Sequence, residues 1–240
     1  MRILPRSAAL VTALVLAAAP ALAASPASAA TAPYSLQYLT LSNGHRLVAR
    51  WNPCRIHTYK VNLASVPAAT RAAVLAETQA SLRVLGARTG MSFSDKGATT
   101  EIPRVGSYAR QSADIVIAFT TPSKTSYLYG TADARGGYAA RVITRTSGTT
   151  RTYAAGIVQG FVVVNTTKLL RSYRPGFGTG GHRGNLLLHE LGHVVGLGHV
   201  SNARLLMNPL LSSSTPNGYA AGDAAGLSVV GRRAGCISGM

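Results

Sequence analysis

Polar and apolar residues alternate over residues 56–63, the period-two pattern of a strand with one buried face. Over residues 67–89 the period lengthens: Ala73, Val74, Leu75, Leu82, Val84 and Leu85 recur at helical intervals, between Pro67, suited to a first turn, and Gly90, suited to a stop. This predicts a long helix. Residues 91–94 read as a short strand, and residues 112–119 (SADIVIAF) form a nearly unbroken apolar run between turn residues, as in a strand buried on both faces. Residues 138–143 and 160–165 are two further strand candidates. The stretch between them, residues 144–153, is rich in Thr, Arg, Ser and Gly and reads as a polar surface loop. A helix is expected near Leu186 and a short final one over residues 222–230, while residues 30–50 read only as a lead-in. Strand, long helix, strands and helix, with little sheet near the C-terminus, predict an α+β (α/β-like) domain. Neither a repeat nor a Pro-rich or Gly/Ser-rich linker divides residues 30–240, so they are read as one domain.

The first 29 residues change the picture of where this domain works. Arg2 and Arg6 precede an Ala-rich apolar run broken by Pro20, and small residues end it at Ala27-Ser28-Ala29. That is the order of a secretory signal peptide. The run is short of the roughly 20 strongly apolar residues of a membrane span, so cleavage after Ala29, secretion and no transmembrane anchor are expected. An exported chain makes Cys54 and Cys236, its two cysteines, a plausible disulfide, the alternative being two unpaired thiols.

Composition mainly excludes. The chain of 240 residues is 47% hydrophobic and 13% charged, enough apolar content to bury a core and unlike a disordered segment. Its 7 acidic residues do not suffice for a string of carboxylate-rich calcium loops, so calcium is not expected. Two cysteines exclude an all-cysteine zinc site. The formal charge is +17, and cleavage after Ala29 leaves 211 residues at +15. Contact with anionic surfaces or polymers follows from that charge. No basic run or basic stripe interleaved with aromatics marks specific nucleic-acid binding.

Candidate chemistry is concentrated in HELGHVVGLGH, residues 189–199, which holds half of the six histidines. On a helix, His189 and His193 stand at i and i+4 on one face and can reach one metal ion, with Glu190 beside them as a carboxylate that takes a proton from a metal-bound water. His199 would lie about 15 Å along the axis of a straight helix, against ligand distances of about 2 Å. The chain must therefore reverse after His193, and Gly196 is placed to do so in a left-handed C-terminal cap.

This pattern resembles the signature of the metzincin zinc endopeptidases, and Met207-Asn208-Pro209 resembles their Met-turn at the spacing of the matrixin branch. Residues 113–117 resemble that branch's third strand. The resemblance covers roughly residues 56–231, with its specific part at residues 189–209. It implies a twisted mixed five-stranded sheet, a long backing helix, an active-site helix and a small C-terminal lobe. It also implies one catalytic Zn2+ on His189, His193 and His199, Glu190 as general base, Gly196 as the turn and Met207 as a floor under the metal. A substrate-binding edge strand is expected around Tyr138, Ala139 and Ala140, and side-chain preference from Leu210, Leu211 and residues 212–216. A cysteine-switch propeptide is not expected between Ala29 and the first strand. Pro209 stands near where other branches place a tyrosine by the metal, a role for which Tyr219 is the remaining candidate.

The implied function is a secreted, monomeric, zinc-dependent endopeptidase acting on protein or peptide substrates. Two alternatives stand beside it. One is a cationic secreted protein that binds anionic polymer, and the other a zinc amidase acting on cell-wall peptide.

Overall fold

The computed structural model describes residues 34–104 and 111–240, so the residues read as a signal peptide lie outside the described residues. The lead-in is structured: it forms β1 (Ser35–Leu36), β2 (Tyr38–Thr40) and β3 (Arg46–Arg50). β2 and β3 make an antiparallel hairpin, and Leu39, Leu47 and Val48 pack against the main core. Too few apolar residues per strand hid this pattern. In β4 (Ile56–Asn62) the alternation holds, with His57, Tyr59 and Val61 inward and Ile56 left 66% exposed.

The long helix is α1 (Ala68–Thr89), with Pro67 one position earlier than expected, at the N-cap. Gly90 closes it in the left-handed conformation, its N–H donating to Gly86 O at 2.7 Å. The buried face of α1 includes Thr78, Ser81 and Thr89 beside Val74, Leu82 and Leu85. Each of those hydroxyls donates to the carbonyl four residues back, at 2.8–2.9 Å, so none is buried without a partner.

β5 (Ser92–Ala98) runs parallel to β4, and β6 (Ile115–Thr120), with every residue buried, runs parallel between β4 and the strand that follows the hairpin turn below. That hairpin is β7 (Ala134–Ser147) and β8 (Thr150–Asn165). It corrects the reading of residues 144–153 as a loop: the ladder continues to Ser147 opposite Thr150, and the connection is Gly148-Thr149 alone. Only Gly148 of the two has positive φ, as in a type II′ turn. The distal strands are exposed on both faces, so no hydrophobic alternation marks them, although their Thr content suits a strand.

After β8 come α2 (Thr166–Ser172), α3 (Arg183–Val194), β9 (Leu197–Gly198) and α4 (Ala221–Val230). The main sheet has the order β2-β3-β8-β6-β4-β5, with β7 on β8, and β1 pairs separately with β9. It is mixed as expected. It has seven strands instead of five because the lead-in joins it. The principal core lies between the sheet and α1, α3 and α4, while Tyr127, Leu128, Phe161 and Val163 form a second cluster. Trp51, fully enclosed, donates from Nε1 to Val194 O at 2.9 Å and so ties the sheet to the end of α3. No helix of the described residues is long and apolar enough to cross a membrane.

Cys54 and Cys236 form a disulfide across a separation of 182 residues. Asn52 holds the same tail: its Nδ2 donates to Ile237 O and Met240 O, and its Oδ1 accepts from Ile237 N and Cys54 N. Chain entropy alone gives such a bridge about 5 kcal/mol, and removal of native disulfides costs about 2–5 kcal/mol. The Cys54→Ser/Cys236→Ser protein, which keeps Asn52, is expected to unfold at lower urea with a loss of about 2–5 kcal/mol. An unchanged urea midpoint would contradict this.

Candidate metal centre and cleft

All twelve residues of α3 are buried, which fixes the helix on every side before it presents any ligand. His189 and His193 stand one turn apart. Their Nδ1 atoms are tied to backbone, His189 to Leu206 O at 2.7 Å and His193 to Leu197 O at 2.8 Å. Those bonds put the protons on Nδ1 and leave Nε2 as the acceptor.

The helix ends at Val194 and the chain reverses through Gly196, whose φ is +104°. A second demand reinforces the first: a Cβ at Gly196 would lie 2.2 Å from Ala49 O on β3. The reversal brings back His199. Its Nε2 lies 3.2 Å from that of His189 and 3.0 Å from that of His193, and those two are 3.2 Å apart.

Three imidazole lone pairs facing one another repel unless a cation lies among them. Tetrahedral coordination with Zn–N distances of 2.0–2.1 Å requires N···N edges of about 3.3 Å, close to the observed triangle. The donor set therefore fits zinc. Burial pushes the histidines down, His189 to about 3 and His193 to about 4, with the charge of neighbouring histidines adding to it, and His199 is lowered by burial and by the Arg135 charge. All three are neutral near pH 7, the form that binds metal. Among the described residues this is the one such group; His57 packs on Trp51 and bonds Asn52 O, and His182 bonds Pro175 O.

Glu190 stands on the same helix, next to His189. Burial raises its carboxyl to about 7, against the opposing effects of the Gly136 N–H and the Arg135 charge. Its Oε2 accepts a short hydrogen bond from Gly136 N. A Cβ on Gly136 would lie 2.1 Å from Glu190 O, so only glycine lets β7 sit directly on α3.

Met207 is buried beneath the helix, and its Sδ would be 2.5 Å from a Cβ at Gly192, between the two helical histidines. Asp223, on α4, holds this turn: its carboxylate accepts from Leu206 N, Met207 N and Ala220 N at 2.8, 3.1 and 2.9 Å. Burial pushes that carboxyl up, and the backbone donors pull it back. Tyr219 does not reach the metal position. Its hydroxyl donates to Leu188 O at 2.6 Å from a buried site, so the remaining candidate for a tyrosine by the metal is turned to the helix backbone instead.

A cleft of about 720 Å³ opens over the histidines, walled on one side by residues 131–136 and on the other by Leu186, Pro209, Leu210 and Leu211. Tyr138, Ala139 and Ala140 lie farther along β7, past the part that borders the cleft, with a bulge between Ala139 and Ala140. Among the described strands β7 pairs with β8 alone, and on its other edge Gly136 N is bonded to Glu190. Asp133, at the cleft mouth, is held by Lys168 Nζ and Tyr173 Oη, both at 2.7 Å.

Three residues of the site did not stand out in the sequence: Gly136, Asp223 and Gln37, whose side chain also borders the cleft. Asp223 had a signal, an acid isolated in the apolar run AAGDAAGL. Gly136 and Gln37 had none, because only the folded chain brings them to α3.

Compared with known families, residues 50–229 match the model described as Matrixin, a peptidase family. No curated protein matches the chain.

Proposed function

The chain belongs to the matrixin family and is a zinc-dependent endopeptidase, and from that premise we propose how its residues divide the work. The observation that carries the reading is the convergence of three Nε2 atoms within 3.0–3.2 Å beside a buried carboxylate, under the edge of a strand. Held by His189, His193 and His199, zinc supplies a Lewis acid and lowers the pKa of water.

Glu190 moves the proton. Its Oε2 is anchored on Gly136 N–H, which leaves Oε1 to take a proton from the attacking water and pass it to the nitrogen of the leaving amine. Met207 fills the space under the ligands, and Gly196 makes the reversal that returns His199. A peptide adds to the edge of β7 that faces away from β8 by main-chain hydrogen bonds, past Gly136, whose N–H is given to Glu190, toward Tyr138, Ala139 and Ala140. The apolar wall of Leu186, Leu210 and Leu211 favours an apolar substrate side chain.

Matrixins are typically secreted. Export of this chain, with residues 1–29 as signal peptide and residues 30–240 as the catalytic domain, is supported by the order of residues at its start and by the Cys54–Cys236 disulfide. The net charge supports contact with anionic surfaces as a secondary property.

The test is digestion of a peptide library by the purified protein, read by mass spectrometry. Internal bonds flanked by apolar side chains are expected to be cut, cutting is expected to stop with 1,10-phenanthroline, and added zinc should restore it. Cleavage that persists after the metal is stripped, or none from the zinc-loaded protein, would defeat the reading.

A further inference from the structure

The turn that carries His199 is bonded along its backbone to the N-terminal strand. Leu197 and Gly198 of β9 pair antiparallel with Leu36 and Ser35 of β1, and Gln37 N donates to Gly196 O at 2.8 Å. The segment between the second and third histidines thus takes its shape partly from residues some 160 positions earlier. β1 precedes residue 50, where the match to the family model begins.

From this strand the Gln37 side chain turns toward the metal centre. Its Nε2 donates to Leu197 O at 2.7 Å, the same carbonyl that accepts from His193 Nδ1 at 2.8 Å. Gln37 Nε2 and His193 Nδ1 are 3.4 Å apart. With His193 Nε2 facing the other two ligands, Nδ1 carries the proton, so these are two donors sharing one carbonyl with its two lone pairs. The amide orientation follows: the flipped form would press Oε1 against Leu197 O.

We propose that Gln37 is a positioning residue for the zinc site, acting through the Leu197 carbonyl to hold the His193 ring and the turn that brings His199 to it. The proposal rests on the reading of His189, His193 and His199 as zinc ligands. The carbonyl accepts from the histidine on one side and is held from the other, so neither it nor the ring turns without breaking a bond. Groups that orient a ligand in this way typically contribute 10–100-fold to metal affinity.

Gln37 is half-buried and belongs to no core cluster, which makes its replacement mild for the fold. Gln37→Met keeps the side-chain length and removes the donor. In competition with a chromophoric chelator, this variant is expected to bind zinc about 10-fold more weakly than the wild type. Its cobalt(II)-substituted form should show a shifted d–d absorption band, and the melting temperature of its metal-free form should be unchanged. Gln37→Ala, which puts no methionine methyl group in the cleft mouth, is measured in the same way if Gln37→Met does not fold. Zinc affinity within about twofold of the wild type, with an unaltered cobalt spectrum, overturns the proposal. A wild-type protein that binds no zinc is a different result: it removes the zinc reading itself and this proposal with it.

Discussion

Glu190→Ala is expected to retain zinc at one equivalent and to cut a fluorogenic peptide about 10³-fold more slowly, within the range that positioned proton transfer contributes. The two helical imidazoles do not depend on the carboxylate, since the Nδ1 atoms of His189 and His193 are fixed by Leu206 O and Leu197 O. Metal retention and turnover should therefore separate. Glu190→Ala also strips Gly136 N–H of its acceptor, and Glu190→Gln tells the two losses apart. Glutamine keeps an oxygen for Gly136 N and keeps the volume, but it does not take a proton at neutral pH. If proton transfer is the role, Glu190→Gln is about as inactive as Glu190→Ala; if anchoring β7 is the role, it is nearly as active as the wild type. Zinc content by mass spectrometry and kcat/KM together decide the matter, and turnover undiminished in both variants would end the mechanism.

The second large effect is expected at Asp223, which is 1% exposed. Asp223→Ala leaves the N–H groups of Leu206 and Met207, both in fully enclosed residues, without an acceptor. Each orphaned buried donor costs about 1–3 kcal/mol, so a loss of roughly 3–5 kcal/mol in folding stability is expected. The damage reaches the metal as well. Leu206 O is the acceptor for His189 Nδ1, so a turn that loosens at Leu206 also releases the His189 ring. Zinc affinity should fall about 10-fold in the molecules that remain folded. Urea unfolding of the metal-free protein reads the first effect and chelator competition the second. A wild-type urea midpoint in Asp223→Ala would show that the Met207 turn stands without this carboxylate.

The legible and the hidden parts of the site differ in a physical way. His189, Glu190, His193, Gly196 and His199 could be read because the helix repeat and a ligand distance near 2 Å together dictate residue types at set spacings. Gln37 acts on the same ring from far away in sequence, and no local pattern encodes a β1–β9 pairing of two residues per strand. The strands with a buried face, such as β4 and β6, announced themselves by alternation or by an apolar run. The outer half of β7–β8 did not, because alternation reports burial and that half buries neither face. The cysteines were legible as a possibility only: the expected export allowed a bridge, and the Asn52 clamp that brings the C-terminal tail beside Cys54 appears only in the fold.

Gly136 has a bearing on how the enzyme measures its substrate. Strand and helix meet there backbone to backbone, with no side chain between them to yield. On the proposed docking along β7, a peptide is expected to be indexed to Glu190 by main-chain atoms. On that reading, substitutions in Leu186, Leu210 or Leu211 are expected to change which sequences enter, while the cut stays at the same step of the docked chain. Retuning this protease for new sequences and shifting its point of scission are separate design problems, and only the first is open to side-chain replacement in the wall.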